Sequence, residues 1–255
     1  MIDQVAALAL IGAAVLVIGF SLGVSGLGGF LVPALLVAIL GMEPTTAVFH
    51  GLVSFLIPGV IGAWMYWRKD QRPSWRIAIL LCVGTLPGLI VGRQISLAAS
   101  PTVLQLILAA IVVGSAVLLL AQGRRRDRES VQPPARVAVP AAGSAGFLGG
   151  ISTVLAGVGG PLVTVPVLAA CGMALTPVIG AALLNSVFGV AMGVVLLAGT
   201  VQLQPTVLVV ITAAQLIGVP IGARWQDRLD NRKLAIGIAV AAILTAGWLV
   251  LRLLG

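Results

Sequence analysis

Long apolar runs at 5–41, 45–67, 77–92, 102–121, 137–172, 177–200, 206–222 and 234–254 fill most of the 255-residue chain and carry almost no charge. A helix that crosses a bilayer needs about 20 such residues. Most of these runs meet that length, and the longest exceed it. Strands of a membrane barrel would alternate polar and apolar positions, and these runs do not, so helices satisfy the backbone inside the lipid. With 60% hydrophobic and 9% charged residues and a mean hydropathy of +1.17, a soluble globular enzyme and a disordered chain are both excluded. The expected fold is an all-α polytopic membrane protein.

The charge that remains is concentrated. Fifteen Lys and Arg stand against seven Asp and Glu, a balance that in a soluble protein would point to nucleic acid. Here most bases fall in the connectors 68–76, 124–136 and 224–233, so no nucleic-acid partner is expected and the lipid bilayer is. The positive-inside rule places these connectors in the cytoplasm, with the base-poor turns at 96–101 and 202–204 outside. That geometry fits a multi-pass protein of the bacterial inner membrane. Trp64, Trp67, Trp75 and Trp225 border the basic connectors as interfacial anchors. Cys82 and Cys171 sit within apolar runs and read as small buried hydrophobes. The beginning of the chain has neither a basic region nor a cleavage motif, and the first run reads as mature protein.

Laid against itself at one fixed offset, the chain repeats. Gly26-Leu27-Gly28-Gly29 meets Gly157-Val158-Gly159-Gly160, and without a gap Gly12 meets Gly143, Ser21 meets Ser152, Gly41-Met42 meets Gly172-Met173, and Thr45 meets Thr176. About a dozen such identities favour a duplication over chance. The organisation expected is a first transmembrane repeat at 1–122, an Arg-rich cytoplasmic linker at 123–136 and a second repeat at 137–255. The connector after 45–67 is basic and its counterpart after 177–200 is not, while the next pair shows the opposite bias. The repeats are therefore expected to be inverted, each with about five helical elements and with both termini outside. Each first run then breaks into two helical pieces at its glycine cluster, in segments that either cross fully or re-enter.

Matched glycine breaks at 23–29 and 157–161 are where a transporter of this architecture would bind its cargo. Gly26, Gly28, Gly29, Gly157, Gly159 and Gly160 allow the chain to reverse and approach a ligand, with Ser25 beside the first break. Short helices at 29–40 and 161–170 would aim free N–H groups at the breaks, and Pro161 suits the first turn of the second. Two such ends form an anion cradle. The competing reading of each glycine is close helix packing. Intramembrane polar residues are the other signal, because burial costs them their hydration. His50 and Ser54 share a helix face, Asn185 falls opposite Ser54 in the repeat register with Ser186 next to it, and Gln215 lies mid-run. His50 serves either as a structural imidazole or as ligand and proton relay, which makes proton coupling an expectation. Arg93 and Arg224 match across the repeat and either attract anions into two vestibules or snorkel to headgroups. All seven carboxylates map to ends or connectors, which favours an anionic substrate over a cation. No Walker loop, HExxH or CxxC occurs, so neither a metal nor another cofactor is expected, nor catalysis.

Four stretches resemble the sulfite exporter TauE/SafE family, also called the 4-toluene sulfonate uptake permease family. They are Gly26-Leu27-Gly28-Gly29-Phe30-Leu31-Val32-Pro33, Ala63-Trp64-Met65-Tyr66-Trp67-Arg68-Lys69, Leu86-Pro87-Gly88 through Gly92-Arg93, and Leu183-Leu184-Asn185-Ser186. The resemblance spans essentially the whole chain and implies secondary transport of sulfite, sulfonate or a similar small organic anion without a bound cofactor. His50-Gly51 departs from the hydroxyl-bearing pair that the family resemblance would place there. Pro166 is displaced from the register of Pro33, which predicts short helices of unequal length. The expected function is a secondary anion transporter working by alternating access, one half rocking against the other. An anion channel and a non-transporting membrane assembly subunit are the alternatives.

Overall fold

In the computed structural model, residues 2–25, 28–67, 74–122, 135–157, 161–171, 173, 175–225 and 231–254 are described. Among them are ten helices and no strand: α1 (Ile2–Ser25), α2 (Leu31–Leu40), α3 (Pro44–Trp67), α4 (Trp75–Ala98), α5 (Pro101–Gln122), α6 (Ala135–Ala156), α7 (Pro161–Ala170), α8 (Leu175–Leu197), α9 (Pro205–Trp225) and α10 (Asn231–Leu254). Six of these, α1, α3, α4, α6, α8 and α9, are long and apolar enough to cross a membrane. Large apolar side chains such as Val17, Ile79, Val83, Val209 and Leu244 lie on the outer surface, as lipid requires and water would not tolerate. This is a polytopic, multi-pass membrane protein. The basic connector residues at 68–72, 124–128 and 228 lie outside the described residues.

Both long first runs break where the glycines cluster. The chain leaves α1 and enters α2 through Gly28, with φ at 115°, and leaves α6 through Gly157, with φ at 66°. Only glycine adopts these angles without strain. The short helices α2 and α7 each have ten residues, so the expected inequality is corrected. Pro33 and Pro166 both lie inside their helices rather than ending them. What ends α2 is Gly41, left-handed, whose N–H bonds to Val37 O while the Met42 N–H reaches back to Leu36 O.

Small residues let the long helices approach to backbone contact. A Cβ added at Gly23 would strike Val219 O, and one at Gly222 would strike Phe20 O. The same holds between α4 and α6, where Gly88 faces Phe147 O and Gly146 faces Leu81 O. These four are packing glycines, and of them only Gly23 belongs to an expected break. Contacts advance together along both seams, Gly12 to Val210 and Gly23 to Val219, Gly84 to Gly143 and Gly92 to Ile151. Thus α1 and α9 run parallel, and so do α4 and α6. The first helix of each group of five therefore packs on the fourth helix of the other, while α3 packs on α8 and α5 on α10.

Helix α4 extends beyond the apolar run that announced it. Arg93, just past the apolar run at 77–92, lies inside α4, half-buried, with Nε donating to Leu196 O at 2.9 Å. A helix does not stop at its first charge when that charge can satisfy the open carbonyls at a neighbouring helix end. Arg224 lies in the last turn of α9 and is exposed. Helix α6 likewise starts at Ala135, earlier than the expected repeat boundary.

Candidate substrate site

Helices α3, α4, α8 and α9 each place an interhelical hydrogen-bonding side chain within two residues of their midpoint, Ser54, Thr85, Asn185 and Gln215, and α8 adds Ser186. The four interhelical side chains are at most 2% exposed. They form two pairs that bridge helices. Gln215 Nε2 donates to Ser54 Oγ at 2.7 Å, and Ser54 in turn donates to Gly51 O at 2.8 Å. In the other pair, Thr85 Oγ1 lies 2.8 Å from Asn185 Oδ1 and 3.2 Å from Gly146 O, to either of which its hydroxyl can donate. The two pairs correspond in the repeat register, Ser54 with Asn185, and Thr85 with Gln215 after a shift of one residue.

Stability alone gives a weak account of these pairs. An interhelical hydrogen bond inside a bilayer contributes about 0.6 kcal/mol on average, whereas leaving a buried polar group unsatisfied costs about 1–3 kcal/mol. Apolar side chains in these four places would hold the helices with less risk. Other buried hydroxyls turn back on their own helix, as Thr153 does to Gly149 O and Ser21 to Val17 O. Side chains also bridge helices elsewhere, from Gln105 to Leu249 O, from Trp248 to Ala38 O and between Thr45 and Ser96, but the two central pairs join side chain to side chain across the two halves of the chain.

His50, fully buried, lies one turn before Ser54 on α3. Its Nε2 accepts the Gln204 N–H at 3.0 Å, and its Nδ1 lies 2.8 Å from Thr46 O. A backbone N–H can only donate and a carbonyl can only accept, so the imidazole is neutral with its hydrogen on Nδ1. It ties α3 to the residue that precedes α9. Glu43 caps the start of α3, accepting from the Thr45 and Thr46 N–H groups. Arg93 lies toward the same end, on α4.

Of the sequence-expected residues, Ser54, Asn185 and Gln215 are buried near the middles of their helices, and Ser186 is buried beside Asn185. Gly28 and Gly29 lie in the first break, where Gly29 approaches Leu22 and Phe55. Gly157 lies against Pro33 of α2, which also abuts Gly51, one turn from Ser54. This brings the second break to the first short helix. Gly26, Gly159 and Gly160 lie outside the described residues; Ser25 ends α1, and Pro161 begins α7. At α2 the expected free donors are partly used: the Leu31 N–H bonds to Gly28 O, the Val32 N–H bonds to Gly29 O, and Pro33 has none. Arg93, half-buried, donates its Nε to Leu196 O at the end of α8.

Thr85 was missed by sequence reasoning. Its signal was a lone hydroxyl between Gly84 and Pro87 in an otherwise apolar run, hidden because the gapless register sets it against Leu216. A groove of about 400 Å³ between α4 and α8 is lined by apolar side chains, among them Ile79, Val83 and Phe188, and by neither Thr85 nor Asn185.

Comparison with known families matches residues 11–249 to the sulfite exporter TauE/SafE family. The chain belongs to that family. Searches of curated proteins and of solved structures find no match. TauE/SafE membership makes this a protein of a membrane-transporter family for sulfite and related sulfur anions, and it places α1 through most of α10 within the matched region.

Proposed function

We propose that this TauE/SafE protein is a secondary transporter of the bacterial inner membrane, carrying sulfite, a sulfonate or a similar small organic anion by alternating access. The observation that carries the reading is the pair of matched polar bridges, Ser54 with Gln215 and Thr85 with Asn185, at the middle of four helices beside two glycine breaks. In this reading the substrate lies at that depth, oriented by Ser54, Asn185, Ser186 and Gln215 and approached by the backbone of the breaks around Gly28, Gly29 and Gly157. No lysine or arginine is needed at the centre.

The repeats at 1–122 and 137–255 are inverted in this proposal, with the basic connectors 68–76, 124–136 and 224–233 cytoplasmic. Helix directions support it. Helix α3 runs with α9, since His50 meets Gln204 and Ser54 meets Gln215. It runs against α4, since Thr45 meets Ser96. Helix α4 runs with α8, since Thr85 meets Asn185 and Arg93 meets Leu196. Helix α3 thus opposes α8, its counterpart in the other repeat.

His50 is the group proposed to carry a coupling proton. Its Nε2 lone pair is occupied by the Gln204 N–H, so protonation there requires that bond to break and frees the entry to α9. Among the helices packed on α3, α2, α5 and α8 carry no charge and α6 and α9 carry only Arg136 and Arg224; Glu43 and Arg93 lie toward the His50 end, as do Asp3 of α1 and Arg252 of α10.

Proteoliposomes loaded with labelled sulfite test the function. Saturable flux, inhibited by sulfonates, is expected. Intact, correctly inserted protein that moves no small anion saturably would overturn the proposal.

A further inference from the structure

Gln215 holds one hydrogen-bonding atom that the fold leaves unsatisfied. The Gly51 carbonyl can only accept, so the Ser54 hydroxyl hydrogen goes to it and the Ser54 oxygen is left to receive a donor. That donor is Gln215 Nε2, which fixes the orientation of the amide. The other end, Oε1, is buried and has no partner. Trp67 Nε1 shares that condition, but at the end of α3 rather than at its middle.

An orphaned carbonyl oxygen in a transporter's central layer constrains the cargo. A substrate whose exposed polar atoms are all anionic oxygens would set oxygen against oxygen at Oε1 and leave the acceptor unpaired. A substrate with its own O–H or N–H would satisfy it. Charge points the same way, because a dianion would have to lose its hydration with no cation at this depth.

We infer that the transported species is a monoanion that itself carries a hydrogen-bond donor, such as hydrogen sulfite or a hydroxysulfonate, and that Gln215 Oε1 receives that donor. The inference rests on the anion-transport reading above and narrows its substrate class. Gln215 is on this account a specificity-determining residue.

Ethanesulfonate and hydroxymethanesulfonate make the test, since they have nearly the same shape and differ by a methyl against a hydroxyl. Binding of each to the purified full chain is measured calorimetrically for wild type and for Gln215→Met, which retains length but has no carbonyl. Wild type is expected to bind hydroxymethanesulfonate about tenfold tighter or more, and Gln215→Met to lose that preference. Equal affinities in wild type, or a preference that survives in Gln215→Met, overturn the inference and leave anion transport standing. Sulfite flux in wild-type proteoliposomes gives a second readout that needs no variant. Flux that follows the hydrogen sulfite concentration as pH rises is expected, and flux that follows the dianion overturns the inference. Absence of sulfonate binding together with absence of sulfite flux removes the transport reading as well.

Discussion

Among the buried hydroxyls, the partner decides what a substitution does. Thr85 bridges from α4 to Asn185 and Gly146, whereas Thr153 returns to Gly149 on its own helix. Thr85→Val therefore strips a partner from a buried amide and is expected to cost about 1–3 kcal/mol. Thr153→Val leaves behind a carbonyl that its helix already uses, and should change stability by less than about 1 kcal/mol. Thermal unfolding of the two detergent-purified variants, side by side, checks the contrast. His50→Ala removes two bonds and should lower stability by about 1–3 kcal/mol in the same assay. At this scale the sequence was partly legible. Ser54, His50, Asn185 and Gln215 could be found because polar groups in apolar runs are conspicuous, but their pairing could not, since partners such as Ser54 and Gln215 lie far apart in the chain. Thr85 escaped because a lone threonine carries less polarity than an amide, and its register partner is shifted by one residue.

The helices show where hydropathy informs and where it stops. Glycine clusters foretold both breaks, since the left-handed angles at Gly28 and Gly157 have a direct signature in residue type. Helix ends were less visible: the apolar run of α4 stops at Gly92, yet the helix continues to Ala98 because Arg93 finds a carbonyl on α8. Nor could the sequence separate glycines that break a helix from glycines that seat one helix on another. Only the neighbouring atoms do that. At Gly222 an added methyl meets Phe20 O, while at Gly62 and Gly114 it meets nothing within 4 Å. Gly222→Ala should push α1 from α9 and lower stability by about 1–3 kcal/mol. Gly62→Ala and Gly114→Ala should be neutral or gain up to about 1 kcal/mol from the better helix former. Comparing apparent melting temperatures for the three variants decides between steric seats and generic flexibility.

For the molecule as a whole, orientation is the measurable quantity. Single cysteines at Ser100 and Leu203, introduced after Cys82 and Cys171 are replaced, should react in intact cells with a maleimide that cannot cross the membrane, whereas one at Arg126 should not. Equal labelling at all three positions would contradict opposite insertion of the repeats. The all-helical, lipid-embedded character of the chain was plain from its apolar runs, because lipid leaves the backbone little alternative to helices. The way the halves grip one another was not, because small residues on α1 name no partner until α9 is seen beside them. That grip has a consequence for assembly. Since α1 lies against α9 and α6 against α4, neither half retains its own closest neighbours when taken alone. The peptide connecting them is then dispensable for cohesion: fragments 1–122 and 123–255, synthesised separately in one cell, should find each other in the bilayer and co-purify, while each expressed singly should be degraded.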